Sequence, residues 1–453
     1  MPTKRESMHG QWSNRWIFIL AATGSAVGLG NIWKFPYIAG ENGGGAFVLV
    51  YLLCIAAIGI PIMMAEVLLG RRGRQSPINT MKMLAKEAGR SPAWALLGWS
   101  GVVAGFLILS YYSVIAGWAL SYVEKAMSGE FSGQSAGEVG KLFEDFIANP
   151  GDLLFWHSIF MLMTMVVVAR GVKKGLEAAI RMLMPTLFLL LVIMVGYAIN
   201  TGAFTQGLTF LFEPDFSQLT WDSVLIAMGH AFFTLSLGMG AIMIYGSYMP
   251  HEASIAKTSI TVAGMDTLVA LLAGMAIFPI VFANGLEPGA GPGLVFVTLP
   301  IAFGQMPGGL FFGTIFFVLL SFAAWSSAIS LIEPAVAWLV ENKGWSRVKA
   351  SVLAGLLTWL VGIGTVLSFN EWADYKLFDK TFFDLLDYLT ANIMLPLGGL
   401  FIALFVAWIM GRESAKDELD MGDHAGFKIW YVLVRFLTPA AVIVVFLKAI
   451  GVI

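Results

Sequence analysis

Long apolar runs, separated by short clusters of charged residues, constrain this chain more than any other feature. The runs are longer than about 18 residues, enough for a helix to cross the hydrocarbon core of a bilayer. Of the 453 residues, 58% are apolar and only 12% are charged, whereas about a quarter of the residues of a water-soluble domain carry charge. This composition excludes a soluble fold and predicts an all-α polytopic membrane protein.

The polar residues exclude several classes of function. The 27 basic and 29 acidic residues nearly balance, which argues against a nucleic-acid partner. The single cysteine, Cys54, permits neither an internal disulfide nor a thiolate metal site. The histidines have no metal-ligand spacing, and we find no Ser/His/Asp set, so we expect no enzyme. The lipid bilayer is the expected environment, and no obligate protein partner is evident.

The apolar runs predict eleven membrane spans. Most Lys and Arg residues lie in segments on the same side as the N-terminus, which predicts a cytoplasmic N-terminus and, with an odd number of spans, an extracellular C-terminus. We expect a multi-pass protein of the inner (plasma) membrane, whose polar start is not a cleaved signal peptide. The predicted spans are 16–38, 46–70, 92–126, 153–170, 176–200, 221–248, 258–285, 308–341, 350–369, 382–410 and 427–449.

Glycines and polar residues interrupt two of these spans in the middle. The first span contains Gly24-Ser-Ala-Val-Gly-Leu-Gly-Asn31, and the sixth contains Thr234-Leu-Ser-Leu-Gly-Met-Gly240. Paired interruptions at corresponding positions in two halves indicate the binding site of an inverted-repeat transporter. The alternative for Gly24 and Gly28 is a small-xxx-small packing face between helices. A phosphate-binding loop is excluded because no strand precedes either segment.

Backbone groups freed at an interruption are costly in lipid unless something pairs with them. Amides at the start of a half-helix suit a carboxylate, while carbonyls and hydroxyls suit an alkali cation. The acids predicted within the membrane are Glu66, Asp266, Glu333 and Asp387. Glu66 and Glu333 could be structural, and Asp387 could lie at the outer interface. Asp266, far inside the seventh span, is hardest to explain without a cation.

The motif Gly24-Ser-Ala-Val-Gly-Leu-Gly-Asn-Ile-Trp-Lys-Phe-Pro36, followed by Glu41-Asn-Gly-Gly-Gly-Ala-Phe47, resembles the first-span signature of the neurotransmitter:sodium symporter family. Phe233-Thr-Leu-Ser-Leu-Gly-Met-Gly240 resembles its sixth-span signature. The resemblance extends over essentially the whole chain, and eleven spans are typical of a bacterial subgroup of the family.

The resemblance implies a LeuT-type fold, in which two inverted five-helix repeats are followed by an eleventh helix and helices 1 and 6 are unwound in mid-membrane. The implied division is a cytoplasmic N-terminal segment (1–15), a first repeat (16–200), a second repeat (201–410) and a loop with the eleventh helix (411–453).

The resemblance also implies two sodium sites built from oxygen atoms. The first would use Ala26, Asn31, Thr234 and Asp266, together with the carboxylate of the substrate. Because Asp266 replaces an Asn that some members combine with a nearby chloride ion, we expect chloride-independent transport. The second sodium site would use Gly24, Val27, Ala323, Ser326 and Ser327.

The substrate implied by the resemblance is an amino acid. Its carboxylate would meet amides near Leu29 and Gly30 and the hydroxyl of Tyr112, and its ammonium would meet carbonyls of the two interruptions. Met239 replaces a Phe of a relative selective for small aliphatics, and a flexible thioether can repack around different shapes. We therefore expect both aliphatic and aromatic hydrophobic L-amino acids. The implied binding residues are Ala26, Leu29, Gly30, Ile108, Tyr112, Phe233, Thr234, Ser236, Met239, Ser327 and Leu331.

Gates on the two sides follow the family pattern. Lys34 and Asp387 would flank the outer vestibule, with Phe233 closing over the substrate. Glu341 matches the acidic residue of the inner gate, but the position of its cationic partner holds His9, with Lys4 and Arg5 upstream. The sequence leaves that partner unassigned.

Gly175 and Pro185 weaken the start of the fifth span. Proline removes a helical hydrogen bond, so this half of the helix could unwind and admit water to the second sodium site; an ordinary proline kink is the alternative. Two other functions stay open: a sodium-gated amino-acid receptor, and a proton-driven carrier in which Asp266 or Glu333 titrates.

Overall fold

The computed structural model describes residues 5–287, 293–422 and 424–452. Within these ranges nine helices are long and apolar enough to cross a membrane, and a tenth span is a helix pair bent by 54°. Two shorter helices on either side of residues 235–240 form the eleventh. The spans are α1a (Arg15–Ala26) with α1b (Gly30–Glu41), α2 (Gly45–Gly73), α3 (Pro92–Ser128), α4 (Pro150–Ala169), α5 (Val172–Ile199), α6a (Trp221–Thr234) with α6b (Ala241–Ser247), α7 (Ile255–Ala283), α8 (Gly309–Lys343), α9 (Arg347–Ser368), α10 (Phe382–Ile409) and α11 (Ala425–Ala449).

The expected all-α architecture and the broken first and sixth helices are confirmed, and the predicted boundaries fall within a few residues of the observed ones. Shorter helices connect the spans on both sides of the molecule. They are Pro77–Glu87, Ala136–Ala148, Phe204–Phe212, Leu294–Gln305 and Arg412–Leu419.

The first helix begins and breaks for local reasons. The side chain of Asn14 accepts a hydrogen bond from the amide of Ile17 at 3.0 Å, which caps α1a. After Ala26 the backbone becomes extended at Val27 (φ −68°, ψ 113°), and helix resumes at Gly30. The amides at the start of α1b and the carbonyls at the end of α1a therefore lie free of helical partners in the centre of the molecule.

The break in the sixth helix depends on left-handed backbone. Ser236, Gly238 and Gly240 have φ values of 54°, 79° and 77°, a region that glycine enters without steric cost. A Cβ atom at Gly238 would lie 2.5 Å from the carbonyl oxygen of Leu395, so α10 packs directly on the broken segment. Here a side chain is excluded both by backbone conformation and by close packing.

Helices α3 and α8 pack along one another, α8 also contacts α1a and α6b, and α2 lies against α6b. A Cβ atom at Gly70 of α2 would lie 1.9 Å from the carbonyl oxygen of Met243. The end of α6b is capped by the guanidinium of Arg74, which donates to the carbonyls of Ser247 and Met249. Burial and the neighbouring Arg71 lower the pKa of Arg74 to about 10, so it stays charged at neutral pH.

Candidate functional site

The five residues of the predicted second sodium site lie together where α1a ends beside α8. The hydroxyl of Ser327 is 3.0 Å from the carbonyl oxygen of Val27, 3.4 Å from that of Gly24 and 3.3 Å from that of Ala323. Ser326 donates to the same carbonyl of Ala323 at 3.0 Å. These oxygens are buried and carry no formal charge, a donor set that suits a hard monovalent cation.

The glycines of the first break also allow close packing. A Cβ atom at Gly24 would lie 2.9 Å from the sulfur of Met184 on α5, and one at Gly28 would lie 2.6 Å from the hydroxyl of Ser327. The two interpretations of these glycines, a helix-packing face and an opening in the helix, therefore both describe the structure.

Asp266 forms the centre of a second polar cluster, in which the predicted first sodium site lies. Asn31 donates to its carboxylate at 2.7 Å, and the hydroxyl of Thr234 donates to the other oxygen at 3.0 Å. The side-chain oxygen of Asn31 accepts from the amide of Gly28 at 3.0 Å. Ala26 lies at the end of α1a, on the lining of the adjoining cavity. The cluster thus brings one buried carboxylate to the first helix break.

A narrow cavity of about 30 Å³ lies between the two breaks. Tyr112 accepts from the amide of Leu29 at 3.3 Å, and Ser236 donates to the carbonyl of Ser25 at 2.8 Å, so polar groups of both breaks meet at its wall. None of the lining residues that the structure describes carries a charged side chain. The lining comprises all eleven predicted substrate-binding residues together with Ser25 and Gly28: Ala26, Leu29, Gly30, Ile108, Tyr112, Phe233, Thr234, Ser236, Met239, Ser327 and Leu331.

A second cavity of about 180 Å³ adjoins the first and shares Leu29, Gly30, Tyr112 and Phe233 with it. The predicted outer-gate residues Lys34 and Asp387 both line it. The ammonium of Lys34 lies 4.8 Å from the centre of the Phe233 ring, a cation–π contact. The hydroxyl of Tyr111 donates to Asp387 at 3.4 Å. The three predicted outer-gate residues thus surround one passage.

Glu341 lies on the opposite side, beside the N-terminal segment, and its partner there is His9. Nε2 of His9 is 3.0 Å from the carboxylate, and both side chains are almost fully buried. Ser76 donates to Glu341 through its amide at 2.8 Å and through its hydroxyl at 2.5 Å, and Asn79 donates at 2.7 Å. Arg5 instead forms an ion pair with Glu87, and Lys4 lies outside the described residues. His9, which the sequence did not assign as the partner of Glu341, therefore provides this contact.

Trp12 closes the same side of the molecule. Its amide donates to the carbonyl of Tyr248 at 2.9 Å, and its indole donates to the carbonyl of Tyr245 at 3.1 Å. The ring is fully buried and makes edge contacts with both tyrosines. Sequence reasoning did not single out Trp12, although a tryptophan in a short polar segment before the first span was a usable signal.

The remaining buried acids have structural partners. The amide of Gly238 donates to Glu66 at 3.4 Å, which ties α2 to the break in the sixth helix. Tyr248 donates to Glu333 at 2.7 Å, and Arg347 pairs with the same carboxylate. Arg347 was not predicted, because its position at the start of α9 resembles an ordinary membrane-flanking cation.

The start of α5 is helical in this conformation. Residues Val172–Glu177 form a wide π-helical turn, and Pro185 lies inside the helix that follows. A Cβ atom at Gly175 would lie 2.0 Å from the carbonyl oxygen of Val167, so this turn packs on the end of α4. Glu177 accepts from the amide of Ser13 at 3.1 Å. Unwinding between Gly175 and Pro185 stays a prediction.

Comparison with known proteins agrees with this arrangement. An uncharacterized sodium-dependent transporter, YhdH of Bacillus subtilis, is 44% identical over 98% of each chain. A second, from Haemophilus influenzae, is 36% identical over 98% of this chain and 99% of its own. The sodium- and chloride-dependent GABA transporter 2 of Homo sapiens is 25% identical over 97% of this chain and 79% of its own.

Among solved structures, that of MhsT in complex with L-phenylalanine has a TM-score of 0.89 and 46% identity, over 97% of this chain and 99% of that one. The resemblance to bacterial eleven-span members and the LeuT-type fold are therefore confirmed. The sodium:neurotransmitter symporter family matches residues 9–139 and 136–453. The two broken helices, the oxygen clusters beside them and these similarities together show that the chain belongs to the sodium:neurotransmitter symporter family, whose members are transporters and not enzymes.

Proposed function

We propose that this chain is a sodium-coupled symporter that imports hydrophobic L-amino acids, aliphatic and aromatic, by alternating access. The observation that carries the proposal is a cavity with polar backbone at one wall, flanked by two oxygen clusters. Its described lining includes no charged side chain. A zwitterion would pair with the amides of α1b and the carbonyls of the breaks. Its apolar side chain would contact Ile108, Met239 and Leu331.

The breadth of substrates follows from the apolar part of the cavity. Each buried CH₂ group contributes about 0.8 kcal/mol, so large apolar side chains are favoured when the lining can move to accept them. Met239 supplies that adaptability. The solved structure of MhsT contains L-phenylalanine, which supports an aromatic substrate for this similar chain.

Two sodium ions per substrate are proposed because there are two separate oxygen clusters. The cluster around Ser327 is uncharged, and the cluster around Asp266 contains one carboxylate. That carboxylate would supply the negative charge beside sodium, so we propose transport without chloride. Strong loss of uptake when gluconate replaces chloride at constant sodium would contradict this part of the proposal.

We further propose that the N-terminal segment faces the cytoplasm at the plasma membrane and that the C-terminus is extracellular, as the distribution of Lys and Arg indicates. The gate formed by His9 and Glu341 would then be the inner one. The passage lined by Lys34 and Asp387 would be the outer one.

The decisive experiment is uptake of labelled leucine and phenylalanine into proteoliposomes under an imposed sodium gradient with no pH gradient. Accumulation that disappears without sodium supports symport. Binding without accumulation would indicate a sodium-gated receptor, and accumulation driven by a pH gradient alone would indicate a proton carrier. Uptake of alanine or glycine with no binding of leucine or tryptophan would contradict the proposed substrate class.

A further inference from the structure

A groove of about 380 Å³ opens on the outer surface of the helix bundle, between the start of α3 and the middle of α10. Its walls include Ser91, Trp94, Leu97 and Ser100 from the α3 side and Leu397 and Phe401 from α10. Among the described residues, it shares no lining residue with either cavity of the proposed transport pathway.

The dimensions of this groove match one leaflet of a bilayer. It runs from Ser91, the residue before α3, to Ser100 within α3, which at a rise of about 1.5 Å per residue corresponds to roughly 14 Å. Half of the hydrocarbon core is about 15 Å thick. The neighbouring side chains Leu96 and Phe401 are 69% and 42% exposed, as expected for a surface that lipid covers. An acyl chain of a single leaflet therefore fits along its length.

One end of the groove lies next to a cationic residue in the sequence. Arg90 immediately precedes the groove residue Ser91 and is exposed. The nearby Glu87 is already paired with Arg5. We propose that the groove binds a phospholipid with an anionic headgroup, with one acyl chain lying against Leu97 and Phe401 and the headgroup beside Arg90.

Lipid in this position would contact the segment of α10 that supports the break in the sixth helix. A Cβ atom at Gly398 would lie 2.5 Å from the carbonyl oxygen of Gly238, so only backbone separates the groove from the break. An acyl chain fills the space on the outer side of Gly398 and holds α10 against Gly238. Bound lipid therefore stabilises the helix break that borders the substrate cavity.

Native mass spectrometry of the purified full chain tests the proposal. The protein is titrated with phosphatidylglycerol or phosphatidylethanolamine bearing the same acyl chains. We expect the first bound lipid to be phosphatidylglycerol, held several-fold more tightly. The Arg90→Gln variant should bind it about fivefold more weakly, the effect of one cationic side chain near an anionic headgroup. The Ser100→Trp variant, which fills the groove, should lose this first binding step.

Two controls match these variants. Leu360→Trp places the same large side chain on the exposed surface of α9, and Lys343→Gln removes an exposed charge at the end of α8 on the same side of the molecule. Both should bind lipid like the wild type. Equal affinity of the wild type for the two lipids would overturn the proposal without reference to any variant. So would unchanged binding in Ser100→Trp, or a dimer mass showing that a second copy of the chain covers the groove.

Discussion

Asp266 shows how one residue determines the chemistry of the site. Its carboxylate is fully buried and accepts hydrogen bonds only from the neutral groups Asn31 and Thr234 among its described partners. A buried carboxylate without a cationic side chain is costly. A sodium ion bound beside it would offset that cost, and this is the physical reason to place the first sodium site there.

Replacing Asp266 by Asn tests this role, because an amide keeps the size and most of the hydrogen bonding. A carboxylate and a cation 4 Å apart attract by roughly 4 kcal/mol at an effective dielectric constant of 20, which desolvation partly offsets. We expect the sodium concentration for half-maximal leucine uptake to rise more than tenfold, and chloride to stimulate the variant but not the wild type. Wild-type sodium dependence in the variant would exclude Asp266 as a sodium ligand.

His9 joins the N-terminal segment to α8 through its contact with Glu341. A side chain with a permanent positive charge at this position would strengthen the contact, because charge-assisted hydrogen bonds are about twice as strong as neutral ones. The strength of this contact should therefore determine how readily the proposed inner gate opens. Glu341 also accepts hydrogen bonds from Ser76 and Asn79.

We predict that His9→Arg slows leucine uptake, because a permanently charged side chain binds Glu341 more strongly and holds the proposed gate closed. The His9→Gln variant, which keeps a neutral hydrogen-bonding group at this position, should transport faster than His9→Arg. The initial rate of uptake into proteoliposomes is the measurement. A wild-type rate in His9→Arg would exclude this contact as part of a gate.

At the scale of the elements, the helix breaks were predictable because their causes are local. Glycines and hydroxyl residues in the middle of two apolar spans indicate unwound backbone directly. The partners of the breaks were not predictable in the same way, since Gly238 depends on Leu395 and Glu66 through contacts between distant parts of the chain. The resemblance to the family implied which residues line the breaks, but neither it nor composition implied these contacts of Gly238.

Gly238 offers a direct test of the sixth-helix break. Alanine there would have to adopt a φ of 79° and place its Cβ atom 2.5 Å from the carbonyl oxygen of Leu395. Left-handed backbone alone costs roughly 1–2 kcal/mol for a residue other than glycine, and the contact adds to it. We expect Gly238→Ala to lower the thermal unfolding temperature and abolish leucine binding. Gly196→Ala on α5, where a Cβ atom meets nothing within 4 Å, should be neutral.

Pro185 tests whether α5 opens during transport. Alanine would restore a helical hydrogen bond and stabilise the closed helix seen here. We expect Pro185→Ala to bind leucine normally but to release sodium more slowly, which lowers the uptake rate in proteoliposomes. Pro279→Ala is the matched control, because it also removes a proline from inside a membrane-spanning helix, near the end of α7. It should leave the rate of sodium release unchanged. Equal rates for Pro185→Ala and the wild type would remove unwinding from the mechanism.

Across the whole molecule, the two sides of the proposed substrate cavity differ. His9 and Trp12 close the side that carries the N-terminal segment, whereas a cavity lined by Lys34 and Asp387 adjoins the substrate cavity on the other. The sequence predicted gate roles for Lys34, Asp387, Phe233 and Glu341, which stay predictions. It did not assign His9 as the partner of Glu341, and it predicted neither Trp12 nor this asymmetry. Which side of the molecule is closed depends on the summed free energy of many weak contacts between distant residues. The pattern of residue types along the chain does not reveal those contacts.

The coupling of ions to substrate is a property of the whole molecule, and voltage measures it. If two sodium ions accompany one neutral zwitterion, two charges cross the membrane in each cycle. Moving one charge across the membrane contributes about 2.3 kcal/mol per 100 mV. A change of about 60 mV therefore corresponds to a tenfold change in the accumulation ratio for each charge that moves. With a potassium diffusion potential imposed at a fixed sodium gradient, the leucine accumulation ratio at equilibrium should change about 100-fold for every 60 mV.

A tenfold change would mean that only one net charge moves. Either the oxygen cluster around Ser327 or the one around Asp266 would then be without a transported ion. The Asp266→Asn and Ser327→Ala variants would then identify which cluster carries it, because only the variant of the transporting site should lose sodium-driven accumulation.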